Sequence, residues 1–329
     1  MAKHEVNHYN VTIIEDKMQL VLMGTGTSHG IPVIGCKCKV CRSHDKKDKR
    51  LRCSAYLNNR DEIKKNNELA PVDVVVDTGP EFRIQALKYK IRRLDAVLLT
   101  HSHADHLHGL DDLRIFSSVR PPKHDGCTCC ESYRKETKPL PIYANTNTIE
   151  DVHSRFSYIF TPPKEGGGKP KLDMEDCEKL TAENPLKIGT VQILPVPIMH
   201  GTLKDSGWLF SRFESDGKKH SAVYLTDCNV VPDSSVKFIL DNAGIIEHLV
   251  VDGLRIRPHS THFSFDQALS CADKICAKHT YLTHICHDSS NKEIVKYIKS
   301  ALAKYQNLKM IVKNGGTVAP GYDGLTLKF

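Results

Sequence analysis

The chain has 329 residues, 40% of them hydrophobic and 26% charged, with a formal net charge of +7. That is the profile of a soluble protein able to bury a core, and the positive bias is too small to indicate a nucleic-acid binder by itself. No apolar run approaches the ~20 residues of a membrane span, and residues 1–16 lack the apolar centre of a signal peptide, which together predict a cytoplasmic protein and no membrane association. In that compartment cysteines stay reduced, so clusters among the 12 Cys and 18 His suggest metal before disulfide.

Short runs rich in Val, Ile and Leu lie at residues 19–23, 72–76, 96–99, 191–198, 222–225, 248–251 and 281–282. Each stops at Gly, Asp, Thr or His, which predicts strands rather than helices. Apolar residues at helical spacing predict helices over 265–278 and 291–305. The residues just beyond each strand are chemically pointed. The first opens onto Gly24-Thr25-Gly26-Thr27-Ser28-His29-Gly30, the second onto Asp77-Thr78-Gly79, and the third onto Thr100-His101-Ser102-His103-Ala104-Asp105-His106. The later runs lead to His200, Asp227, Asp252 and His284. Strands that each deliver a ligand-type side chain at one end describe a sheet with a site along its rim. Two polar stretches near 120–141 and 161–187 break the pattern and are expected to be surface insertions in a single domain spanning 18–329, after an N-terminal extension of 1–17.

His101, His103, Asp105 and His106 fall within six residues directly after a strand. One loop cannot easily satisfy four such side chains in a core. Two imidazoles offered to one metal, and a carboxylate with an imidazole offered to another, satisfy them together; nitrogen and oxygen ligands suit Zn²⁺, Mn²⁺ or Fe²⁺. Cys36, Cys38 and Cys41 form a second cluster, three thiolates that lack one ligand for a closed tetrahedral zinc, with His287 as the fourth candidate and Cys286 as its alternative. Cys127, Cys129 and Cys130 have no evident fourth partner.

The His-x-His-x-Asp-His pattern resembles the defining motif of the metallo-β-lactamase superfamily, over about residues 20–287. The resemblance implies an α/β (α+β) four-layer αβ/βα sandwich, two mixed sheets with outer helices. It implies Asp77 as support for the motif loop. It places His101, His103 and His200 on one metal, Asp105, His106 and His284 on the other, and Asp227 bridging both. Two cations sharing a water lower its pKa and supply hydroxide at neutral pH, so no protein nucleophile is required. Gly24 to Pro32, the cysteine cluster, Asp77-Thr-Gly-Pro and His284-Ile-Cys-His287 are similar to one branch, the phosphoribosyl 1,2-cyclic phosphate phosphodiesterase of phosphonate degradation and its relatives. There a structural zinc pins the early loop to that of the last metal-binding His, which here implies Cys36, Cys38, Cys41 and His287.

That branch carries a His between the bridging Asp and the last His, contacting phosphate or protonating the leaving group. His262 matches best by its spacing to the helix, with His259 second. Catalysis is thus expected from His262, Asp105 and Asp227. Ser264, a predicted N-cap aiming helix amides at an anion, joins His259 and Arg255 as expected substrate contacts, with Arg257 and Arg52 as weaker candidates. The resulting expectation is a phosphodiesterase acting on a small cyclic phosphate or nucleotide-like ester, the relatives suggesting a homodimer. The alternatives are a thioester or lactone hydrolase on the same metals, an RNA-processing nuclease whose insertions contact RNA, and a metal-binding scaffold without catalysis.

Overall fold

The computed structural model describes residues 17–65, 69–117, 139–162 and 169–329. Cys127, Cys129 and Cys130, the triple glycine at 166–168 and residues 1–16 lie outside the described residues.

The strands in chain order are β1 (Gln19–Gly24), β2 (Ser54–Asn58), β3 (Asp73–Val76), β4 (Ala96–Leu98), β5 (Leu140–Ala144), β6 (Leu172–Asp176), β7 (Leu186–Ile188), β8 (Val191–His200), β9 (Leu203–Phe213), β10 (Lys219–Leu225), β11 (Ile245–Asp252), β12 (His279–Thr283), β13 (Thr317–Pro320) and β14 (Thr326–Lys328). Among the described residues they form two mixed seven-stranded sheets, ordered β14-β1-β2-β3-β4-β5-β6 and β13-β12-β11-β10-β9-β8-β7. The expected sandwich is what the chain adopts. All seven apolar runs lie wholly or mainly on strands.

Those runs are continuous rather than alternating because both faces of each sheet are covered. Val74 and Val76 of β3 face the layer between the sheets, with Leu20, Leu98, Trp208, Phe210 and Tyr224. Val75 between them belongs to the outer layer, with Phe82, Leu107 and Val152. Outside the second sheet, helices α1 (Asp233–Ala243), α2 (Phe265–Ile275) and α3 (Asn291–Ala301) pack Ile239, Leu269, Ala272 and Ile294 against Leu209, Val223 and Val251. Helix α2 ends at Ile275 rather than residue 278 because Cys276 turns left-handed at φ 59°. Helix α3 stops at Ala301 and tightens into a 3-10 turn over Leu302–Lys304. No helix among the described residues is long and apolar enough to cross a membrane.

The stretch 161–187 is not wholly an insertion. Leu172–Asp176 forms the parallel edge strand beside β5, and Leu186–Ile188 pairs antiparallel with β8. Its period-two alternation, half-buried Leu172 and Met174 between exposed Asp173 and Glu175, is masked by the acidic residues. Likewise Leu140 and Pro141, at the end of the other expected insertion, begin β5 inside the first sheet.

Candidate metal centre

The two sheets bring the ends of β3, β4, β8, β10 and β12 together. Asp77, Asp227 and His284 sit just beyond the ends of their strands with left-handed backbones, at φ 60°, 54° and 57°. A non-glycine residue there is strained and persists only where its surroundings hold it, a feature concentrated at functional sites. The turn after β3 and the motif loop are knitted together: Thr78 N–H donates to His106 O at 2.8 Å and Gly109 N–H to Thr78 O at 2.7 Å. A Cβ on Gly79 would lie 2.0 Å from the Asp105 carbonyl oxygen. Gly79→Ala should therefore displace Asp105, destabilise the protein by ~1–3 kcal/mol as overpacking does, and lower metal retention, read by thermal melting and metal analysis.

Ligand atoms of His101, His103 and His200 lie within 4.8 Å of one another, and so do those of Asp105, His106, Asp227 and His284. The expected active-site set is thus assembled into two adjoining groups. Several of the imidazoles are oriented by their other nitrogen. Asp77 accepts from Thr100 N–H at 2.8 Å, from the Thr100 hydroxyl at 2.9 Å and from His106 Nδ1 at 2.8 Å. His106 Nε2 is thereby turned to within 3.1 Å of Asp227 and 3.3 Å of Asp105. His200 Nδ1 donates to the Thr261 carbonyl at 2.7 Å. Asp227 lies 3.2 Å from His284 Nε2 and 4.0 Å from His101 Nε2, between the two groups.

The donors fit divalent metal ions. The Nε2 atoms of His101, His106 and His284 are buried with no hydrogen-bond partner among the described residues, an arrangement that burial penalises unless something else satisfies them. Burial, then the neighbouring His106, holds His101 well below the usual histidine range, leaving it neutral as a ligand must be. Although burial opposes it, His106 and His284 hold the Asp227 carboxyl well below its ordinary value.

The second cluster is equally compact. Cys36 and Cys38 Sγ lie 3.4 Å from His287 Nδ1 and Cys41 Sγ lies 3.6 Å from it. Tetrahedral Zn–S and Zn–N bonds of about 2.3 and 2.1 Å place neighbouring ligand atoms about 3.6 Å apart. Backbone N–H from Cys41 points at Cys38 Sγ and lowers that thiol to about 6, while burial pushes Cys41 up to about 11. His287, not Cys286, completes the group.

His262 sits beside the first cluster, its ring stacked 4.4 Å from His284, and a ring nitrogen within 4.8 Å of ligand atoms of His200 and Asp227. Its Nδ1 is 2.9 Å from the fully buried Asp252, a residue to which the sequence assigned no role although it ends β11 much as Asp77 and Asp227 lie just past their own strands. His259 lies 5.2 Å from His262, ring to ring. The Ser264 hydroxyl forms the capping box of α2 with Gln267. Arg52 pairs with Glu81 and Arg257 with Asp288, whereas Arg255 reaches the Pro258 carbonyl at 3.5 Å, and its Nε is buried without a hydrogen-bond partner among the described residues. Asp205 of β9, also unassigned from sequence, is buried 3.5 Å from His101 Nδ1, and burial pushes its carboxyl up to about 9.

Comparisons with known proteins agree with this geometry. The β-lactamase superfamily domain matches residues 73–285. A crystal structure described as a new diphosphatase from the PhnP family is 32% identical, with a TM-score of 0.69 over 95% of this chain and 98% of that one. Zn²⁺-bound PqqB from Methylobacterium extorquens shares the fold at 14% identity, with a TM-score of 0.60 over 94% of this chain and 100% of that one. An octanoyltransferase of Porphyromonas gingivalis is 32% identical over 271 residues; they make up 82% of this chain but only 46% of that protein, so the chain spans about half its length. The chain belongs to the metallo-β-lactamase superfamily and resembles the PhnP branch, its His/Asp clusters implying divalent metal ions.

Proposed function

We propose that this protein is a hydrolase, a cytoplasmic phosphodiesterase acting on a small phosphoester, a cyclic phosphate or nucleotide-like ester, at a two-metal site. The observation that carries the reading is the Asp252–His262 pair beside the His/Asp cluster. An esterase relying on metal chemistry alone has no need of a histidine held at that point by a buried carboxylate. The 32% identity with a PhnP-family diphosphatase adds support.

In this reading His101, His103 and His200 hold one ion, Asp105, His106 and His284 the other, and Asp227 both, with Zn²⁺ or Mn²⁺ the favoured metals. Bound there, two divalent ions lower the pKa of a water and neutralise charge on phosphoryl oxygens. The protein's own part is positional. Asp252 accepts the Nδ1 proton of His262 in a hydrogen bond, so the other ring nitrogen can carry a proton toward the leaving-group oxygen. Arg255, its Nε lacking a hydrogen-bond partner among the described residues, supplies charge for a substrate anion, with His259 near His262 and Ser264 fixing the start of α2. Cys36, Cys38, Cys41 and His287 hold a structural zinc.

The test is His262→Ala assayed on bis-p-nitrophenyl phosphate and on a thioester. A loss of about 10²–10⁴-fold on the phosphodiester, with metal content unchanged, is expected of a general acid. Wild-type turnover of the thioester but not the phosphodiester, unaffected by the substitution, would favour the thioesterase reading instead.

A further inference from the structure

Asp205, on β9, is a buried carboxylate. Its side chain is 1% exposed, and neither oxygen has a hydrogen-bond partner among the described residues. Carboxylates in protein interiors are normally paired or accept several N–H bonds, because burial otherwise disfavours them strongly. Among the described residues, His101 Nδ1 faces it, 3.5 Å from Asp205 Oδ2. The same nitrogen lies 2.9 Å from the Thr100 hydroxyl, which itself donates to Asp77. The Thr100 oxygen therefore accepts from His101, and the Asp205 carboxylate lies behind the same N–H. The register supports this placement, since Ser206 N–H donates to the Thr100 carbonyl at 3.0 Å and ties β9 to the start of the motif loop.

We propose that Asp205 is a positioning residue for the first metal position: standing behind the His101 Nδ1 edge with Thr100, it keeps the ring oriented so that Nε2 is presented as the ligand. A carboxylate behind a ligating imidazole fixes its tautomer and strengthens it as a donor. The proposal rests on reading His101 as a metal ligand.

The test is chelator competition, at one fixed pH, on the full-length metal-loaded protein and its Asp205→Asn variant, with melting of the metal-free forms alongside. Metal retention at the His/Asp cluster should weaken about 10- to 100-fold, while the cysteine-bound zinc is retained as in wild type. The metal-free variant should melt as metal-free wild type does, because the amide fills the same space; loss of a packing role would lower it. If Asp205→Asn does not accumulate folded, Asp205→Ser enters the same assay. Retention indistinguishable from wild type would overturn this role for Asp205 and leave the two-metal reading standing. A wild-type protein binding no metal beyond the cysteine-bound ion would overturn both.

Discussion

Asp227→Ala should lose at least about 10³-fold in kcat/KM, equivalent to roughly 4 kcal/mol of transition-state stabilisation. Among the described residues, Asp227 is the one carboxylate within 4.0 Å of His101, His106 and His284 together. Its removal takes away the carboxylate shared by the two groups and leaves Asp105, 3.3 Å from His106 Nε2 and 3.9 Å from His284 Nε2 but not beside His101, so both metal positions should be lost together. Metal analysis should therefore show the variant short of both cluster ions while the cysteine-bound zinc stays. Asp227→Asn, which keeps the shape and one acceptor oxygen, should retain more metal than Asp227→Ala and still turn over slowly. A variant that loses activity with its full metal complement would assign Asp227 a purely chemical role.

The second large effect is expected at the cysteine cluster. Cys38→Ser should release one tightly held zinc and destabilise the protein by at least ~3 kcal/mol, or on the order of 10 °C in melting temperature for a chain of this size. Zinc in small fingers contributes far more, but there it holds the whole fold. Here the ion would tie the loop after β1 to His287, three residues beyond His284. Activity should fall as well, because the loop that presents His284 loses its anchor. Cys276→Ser is the control: Cys276 is exposed and outside the cluster, and its substitution should shift stability by no more than ~0.5 kcal/mol. Equal melting of the Cys38 and Cys276 variants would remove the structural zinc from this account.

Legibility in the sequence tracks where the chemistry is concentrated. His101, His103, Asp105 and His106 share one loop, so six residues are enough to raise the expectation of a metal site, and β3 and β4 are legible because burial on both faces leaves mostly apolar residues. Strand β9 was missed although it is eleven residues long, because it opens with Leu203-Lys204-Asp205-Ser206-Gly207, which reads as a polar turn. Strand β6 was hidden by its acidic face. The outer carboxylates are a different matter. Which Asp stands behind His262 or His101 is decided by cross-strand packing, through residues 10 and 104 positions away along the chain, and no local spacing encodes that. The choice of His287 over Cys286 had the same origin: both come soon after His284, and only the path of the loop turns one of them toward the thiolates.

The central claim is that the two groups of His and Asp side chains hold catalytic metal and the cysteines hold a third ion for structure. It is tested most directly by metal content per chain before and after chelation, with bis-p-nitrophenyl phosphate turnover measured on the same samples. The account predicts about three ions per chain, two of them removed by chelator together with activity and restored with it on re-addition, and one that resists removal. One tightly held ion, with no turnover of phosphodiester or thioester under any added metal, would contradict it.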